Sequence, residues 1–220
     1  MKKCAPRGKI QNEMNLSLTV HEAALKSAPH IVLVHGMGSA ATAWKPLTPF
    51  LQERFNVITV DLPGHGQTPM IAGQSMDPIS IGELVVREVK EQFGVTEFDL
   101  IGNSWGGWIT LEMAASFPDS VRSVTALAPA GFWLATYVQR RPGASQFRLL
   151  SSRSAALAPS FLKYERSRKL GFGDVSPRWR DFSYELCLDA TLAMANSPGY
   201  FPAWDGMLHK RFDSQIDSKI

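Results

Sequence analysis

Three short apolar runs, each rich in β-branched residues and each stopped by a glycine-bearing turn, constrain this chain's fold more than any other feature. His30-Ile31-Val32-Leu33-Val34 runs into His35-Gly36-Met37-Gly38. Asn56-Val57-Ile58-Thr59-Val60 runs into Asp61-Leu62-Pro63-Gly64-His65-Gly66. Phe98-Asp99-Leu100-Ile101 runs into Gly102-Asn103-Ser104-Trp105-Gly106-Gly107. Short runs that stay apolar on consecutive residues are the pattern of strands buried on both faces. From Ser80 to Phe93 the period changes: Ile81, Leu84, Val85, Val89 and Phe93 recur at three and four residues, predicting an amphipathic helix. A second helix is expected from Trp108 to about Phe117, ended by Pro118, and one more strand over Val121 to Ala128. Leu16 to Val20 alternates like a strand, and Ala41 to Arg54 carries Trp44, Leu47, Phe50 and Leu51 at helical spacing, with Pro46 and Pro49 restricting where a helix begins. Strands alternating with helices need crossover connections, so the fold class is α/β: a mostly parallel sheet with helices on both faces. Function in such sheets collects at the carboxyl ends of the strands, where all three glycine turns fall.

Composition narrows the class. The 220 residues are 45% hydrophobic and 20% charged, which suits one globular domain, or one domain with an insertion, and excludes disorder, collagen and coiled coil. Cys4 and Cys187 make no disulfide framework, and no Cys/His cluster has zinc spacing, so neither metal nor cofactor is expected. Lys2, Lys3, Arg7 and Lys9 could open a signal peptide, yet no apolar stretch follows them, and no run approaches the roughly 20 apolar residues of a membrane span. A cytoplasmic location is expected. A net charge of +3 does not indicate nucleic acid. Charge is uneven, however: residues 132–180 hold 10 basic and 2 acidic side chains, against 10 and 12 in residues 1–131. Arg140, Arg141, Arg148, Arg153, Lys163, Arg166, Arg168, Lys169, Arg178 and Arg180 form either the solvated faces of helices or a field that attracts anions.

Gly102-Asn103-Ser104-Trp105-Gly106 fits G-x-S-x-G between a strand and a helix. In that setting Ser104 sits on a sharp elbow that lifts Oγ above the sheet at the positive end of the following helix, and the two glycines, Gly102 and Gly106, let strand and helix approach. Ser104 is the candidate nucleophile. The Trp105 backbone N–H points into the same space, and the Met37 N–H in the loop His35-Gly36-Met37-Gly38 is the candidate second donor of an oxyanion hole. His35 and His65 read as loop braces rather than proton carriers, and Asp61 as the residue that fixes its turn. Trp105 is expected to line the pocket through one face, and Trp108 to pack within the helix layer.

With these three loops in this order, residues 15 to 131 resemble the α/β-hydrolase family, in its subgroup of small esterases, lipases, haloperoxidase-like and carbon–carbon bond hydrolases. The resemblance implies a serine hydrolase that acts on an ester or related carbonyl substrate through an acyl-enzyme on Ser104. Alternatives on the same scaffold are a non-catalytic ligand-binding or receptor-like member, an acyltransferase, and a carbon–carbon bond hydrolase. The family also implies a division into core (1–131), helical cap (132–205) and the start of a return to the core (206–220).

The family supplies its triad in the order Ser, Asp, His, with the acid after a seventh strand and the histidine after an eighth. Past Ser104 this chain has ten acidic residues but a single histidine, His209, and neither strand is legible. Helical pieces are expected near Phe161 to Leu170 and Asp181 to Met194. Asp213 to Ile220 resembles the approach to the seventh strand. Asp205 and His209, four apart, would share one side of a helix and could form a local pair. The position just after the sixth strand, Ala128-Pro129-Ala130-Gly131, holds no carboxylate. The expectation is therefore a chain truncated before the seventh strand. Its last strand would be an open edge, prone to self-association.

Overall fold

The computed structural model describes residues 15–220, so Cys4 and the basic run at the N-terminus lie outside the described residues. Five strands form one sheet: β1 (Ser17–His21), β2 (His30–Val34), β3 (Asn56–Asp61), β4 (Phe98–Asn103) and β5 (Val121–Leu127), in the spatial order β1-β3-β2-β4-β5. β1 pairs antiparallel with β3, Ser17 opposite Asp61; every other pair is parallel.

The continuous apolar runs divide by parity, as strands buried on both faces must. Val32, Val34, Ile58 and Val60 face the large cluster beneath α2 (Pro78–Phe93) and α3 (Trp105–Ser116), whereas Ile31, Leu33 and Val57 meet Trp44 on the other face. α2 starts where Asp77 caps it, the carboxylate accepting the Ser80 N–H at 3.2 Å with Pro78 at the first helical position, and stops at Gly94 in the left-handed region.

Two local expectations need correction. Pro46 and Pro49 break the segment 41–54 into a 3₁₀ turn at Ala41–Trp44 and a single-turn helix α1 at Thr48–Leu51, because Pro46 lacks the N–H and the room that a continuous helix requires. α3 begins at Trp105, not Trp108, since the elbow feeds the chain directly into helical geometry.

Beyond β5 the chain is helical: α4 (Pro142–Ser154), α5 (Ala158–Phe161), α6 (Glu165–Phe172), α7 (Tyr184–Ala195) and α8 (Tyr200–Met207). Ala158, Leu162 and Cys187 make a small core of their own with Phe172, Phe182, Tyr184 and Leu188. α8 docks on the main core through Tyr200, Ala203, Trp204 and Met207. Residues 213–220 form no strand; Phe212, Ile216 and Ile220 lie against the main core as irregular chain. Among the described residues no helix is long and apolar enough to cross a membrane.

Candidate functional site

The elbow between β4 and α3 carries Ser104 at φ 54°, ψ −116°, one of three non-glycine residues with positive φ among those described. A side chain held there is strained, and such strain persists only where the surroundings over-determine it. Three constraints do so here. The Ser104 N–H donates to the Leu127 carbonyl at 2.9 Å, and the Ser104 carbonyl accepts both the Ala130 N–H at 2.9 Å and the Trp108 N–H at 3.1 Å. Trp105, fully buried, anchors the chain immediately after it. A β-carbon on Gly106 would overlap the carbonyl oxygens of Val34 and His35, and one on Gly102 would overlap the Gly106 carbonyl, so only glycine allows this crossing.

Ser104 is exposed, and its Oγ has no hydrogen-bond partner among the described residues. The backbone N–H groups of Met37 and Trp105 also lack partners among them. Gly36 brings its loop close: a β-carbon there would lie 3.3 Å from Ser104 Cβ and 3.2 Å from Asn103 Oδ1. A cleft of about 170 Å³ opens beside the elbow, lined by His35, Gly36, Ser39, Ala43, Trp44, Asn103 and Leu127. Sequence reasoning leaves Ser39 and Asn103 without a role, because a cleft between two loops has no signature in either.

The buried histidines hold loops. His35 donates from Nδ1 to the Gly36 carbonyl at 2.7 Å and accepts the Leu62 N–H on Nε2 at 3.1 Å, which fixes the neutral tautomer. Burial lowers its pKa to about 4. His65 donates from Nδ1 to the Pro63 carbonyl at 3.0 Å, and burial, with His35 beside it, lowers its pKa to about 3. Asp61 accepts the Ala41 N–H at 2.7 Å and the Gln67 N–H at 3.0 Å, which fixes its turn.

Elsewhere the structure departs from expectation. Trp105 lines no open surface: it is completely buried, 5.8 Å from the His65 ring, because a side chain that follows the elbow is driven beneath it. Trp108, as expected, packs in the helix layer, its indole N–H donating to Glu112 at 2.7 Å. Asp205 and His209 do not pair. α8 ends at Met207, His209 turns into the left-handed region, and Asp205 is held by Arg140 through bonds of 2.8 and 2.5 Å. His209 instead lines a second cleft of about 330 Å³, together with Asp77, Trp108, Glu112 and Arg211. Several of the basic side chains of residues 132–180 are engaged by neighbours: Arg178 by Asp181, Arg180 by Glu165, and Arg168 by the Leu162 carbonyl. No group of His, Cys, Asp and Glu among the described residues is arranged to hold a metal ion.

Comparison with known proteins agrees with this architecture. Residues 29–179 match the family model described as "alpha/beta hydrolase fold". Over 101 residues the chain is 36% identical to the pimeloyl-[acyl-carrier protein] methyl ester esterase of Methylococcus capsulatus, covering 45% of this chain and 36% of that protein. Over 119 residues it is 32% identical to the bovine monoacylglycerol lipase ABHD6, covering 51% and 34%. Such matches span 28% to 43% of the relatives' own lengths. Among solved structures, the N-formylmaleamic acid deformylase of Pseudomonas putida S16 superposes with a TM-score of 0.64 at 14% identity, over 90% of this chain and 70% of that one. The 2-hydroxy-6-oxo-6-phenylhexa-2,4-dienoate hydrolase of Rhodococcus sp. strain RHA1 gives 0.58 at 23%, over 87% and 66%. With a family model covering most of its length and the strand-elbow-helix crossing in place, this chain belongs to the α/β-hydrolase family.

Proposed function

We propose that Ser104 is the nucleophile of a serine hydrolase that acts on a small ester or related carbonyl substrate, with residues 132–205 forming a helical cap over the strand ends. One observation carries the reading: an exposed serine on a strained elbow, beside the loop after β2 and the start of α3, whose Met37 and Trp105 N–H groups have no partner among the described residues. Oγ attacks the carbonyl carbon, and those two N–H groups stabilise the oxyanion. The alkoxy C–O bond breaks, the serine proton ends on the departing alcohol, and water then hydrolyses the acyl-serine. The names of the relatives, an esterase and a lipase among them, support ester chemistry.

The proton acceptor is the open element. No histidine or carboxylate among the described residues hydrogen-bonds to Ser104 Oγ, and His35 and His65 are committed to their loops. In this reading the chain acylates slowly, with solvent or an added base taking the proton; losing the base of a serine hydrolase removes about six orders of magnitude of turnover. The alternative reading is a member that binds its ligand without turnover.

A fluorophosphonate with and without imidazole as added base separates the two. The expected result is a mass adduct on the peptide containing Ser104, faster with imidazole and absent in Ser104→Ala. A folded protein that stays unmodified under both conditions sinks the hydrolase reading, and retention of a small ester without cleavage then supports the binder.

A further inference from the structure

We propose that Met194, at the end of α7, and Gly199, just before α8, are positioning residues for the oxyanion hole: they fix the loops after β2 and β3 and thereby aim the Met37 N–H. The proposal rests on the reading of Ser104 as the nucleophile. Met37 lies in a tight turn from Gly36 to Ser39, closed by the Ser39 N–H donating to the Gly36 carbonyl at 3.1 Å. The elbow walls one side of this turn, at Gly36. The α7–α8 junction walls the other. A β-carbon on Gly38, whose φ is 71°, would lie 2.7 Å from Met194 Sδ and 2.9 Å from Tyr200 Cδ2. Packing this close leaves the turn no room to shift toward α7. The same helix lies along the 3₁₀ turn Ala41–Trp44, and Lys45 Nζ meets the Asp189 carboxylate at 2.6 Å, so α7 holds the chain at Gly38 and again at Lys45.

Gly199 grips the second loop. Its N–H donates to the Gly64 carbonyl at 2.9 Å, and a β-carbon on it would overlap the Pro63 carbonyl oxygen and lie 2.8 Å from His65 Nδ1. The His65 ring lies against the His35 ring, their centroids 5.3 Å apart, and His35 Nδ1 donates to the Gly36 carbonyl at 2.7 Å. That carbonyl and the Met37 N–H belong to one planar peptide unit, so whatever holds the carbonyl also aims the N–H. Contact therefore runs from Gly199 through two imidazoles to the proposed donor. The junction is itself stiff. Buried Ser197 donates from Oγ to the Met194 carbonyl at 3.0 Å, and its own carbonyl accepts the Tyr200 N–H at 3.1 Å and the Arg148 guanidinium at 3.4 Å.

Labelling of Ser104 by a fluorophosphonate with imidazole as added base tests the proposal, read as the maximal rate kinact and the half-saturating concentration KI. Met194→Ala frees the turn at Gly38, Gly199→Ala displaces the Pro63 carbonyl and the His65 ring, and Met194→Leu conserves volume. Leu162→Ala loosens the cluster around Cys187 without touching either loop. Circular dichroism confirms that each variant is folded, and Met194→Ala carries the test alone if Gly199→Ala does not fold. A misdirected donor stabilises the oxyanion less and leaves the approach of the reagent unchanged. The expected result is therefore kinact lowered by about tenfold or more in Met194→Ala and Gly199→Ala, with KI within about twofold. Met194→Leu and Leu162→Ala should stay near the parent. A labelled parent whose Met194→Ala variant reacts at the parent's rate overturns the positioning role and leaves the nucleophile standing. An equal loss in Leu162→Ala also overturns it, by tracing the effect to a loosened helical layer. A parent that takes up no label overturns the nucleophile, and the positioning role with it.

Discussion

His35 Nε2 accepts the backbone N–H of Leu62 at 3.1 Å, so the loop after β2 and the loop after β3 are joined through one neutral imidazole. Its pKa is lowered to about 4 by burial, while in the unfolded chain it titrates near the ordinary value of 6.5. Between those values the unfolded state binds the extra proton, so the contribution of His35 to stability falls as the pH drops from about 6.5 toward 4 and levels off below. A shift of this size corresponds to roughly 3 kcal/mol. Urea titrations at pH 7.5 and pH 5 should show the loss, and His35→Gln should shrink the pH-dependent part while lowering stability at pH 7.5. An unchanged difference between the two pH values would assign the pH dependence elsewhere.

The strain at Ser104 can be measured apart from its chemistry. Ser104→Ala keeps a β-carbon at φ 54°, whereas Ser104→Gly removes it. Ser104→Gly is therefore expected to be more stable than Ser104→Ala by about 1 kcal/mol or more, with both failing to take up a fluorophosphonate. Equal denaturation midpoints would mean that the elbow is relaxed.

Glycines at two helical positions should respond in opposite directions. At Gly106 a methyl group meets the carbonyl oxygens of Val34 and His35, and Gly106→Ala should cost about 2 kcal/mol or more because backbone must move. Gly171, in α6, has open space around its β-position, and Gly171→Ala should stabilise by roughly 0.5–1 kcal/mol through helix propensity. Thermal melts of the two variants against the parent read the contrast directly.

Glu112 ties the C-terminal segment to α3. The residue is 4% exposed, and its carboxylate accepts the Trp108 indole N–H at 2.7 Å and the Ser214 hydroxyl at 2.7 Å. Ser214→Ala should cost about 1–2 kcal/mol and raise amide exchange over residues 208–220, while exchange in β2 and β4 stays the same. Uniform exchange across the molecule would show that the segment is not held at that point.

The sequence made legible whatever depends on local period and punctuation. β2 was readable to the residue because an apolar run stopped at a glycine, and β3 and β4 extend only slightly past their predicted ends. The elbow was legible because its glycines are demanded by a backbone crossing. Relations between distant segments were not. Nothing near Glu112 announces that Ser214 will reach it across 102 positions, and nothing near Asp205 shows that Arg140 will take it before His209 can. The inward turn of Trp105 was missed for a related reason: its place beside a candidate nucleophile suggested exposure, whereas the geometry of a sharp turn sends neighbouring side chains to opposite sides.

That inward turn shapes how any ligand would be met. With the indole of Trp105 sealed beneath the sheet's end and the Ser104 backbone tied to Leu127 and Ala130, the backbone of the elbow is set in place as the chain folds. Under the proposed function, a substrate arriving from above would meet a finished surface instead of a loop that must be ordered first, and little of its binding free energy would be diverted into organising the protein.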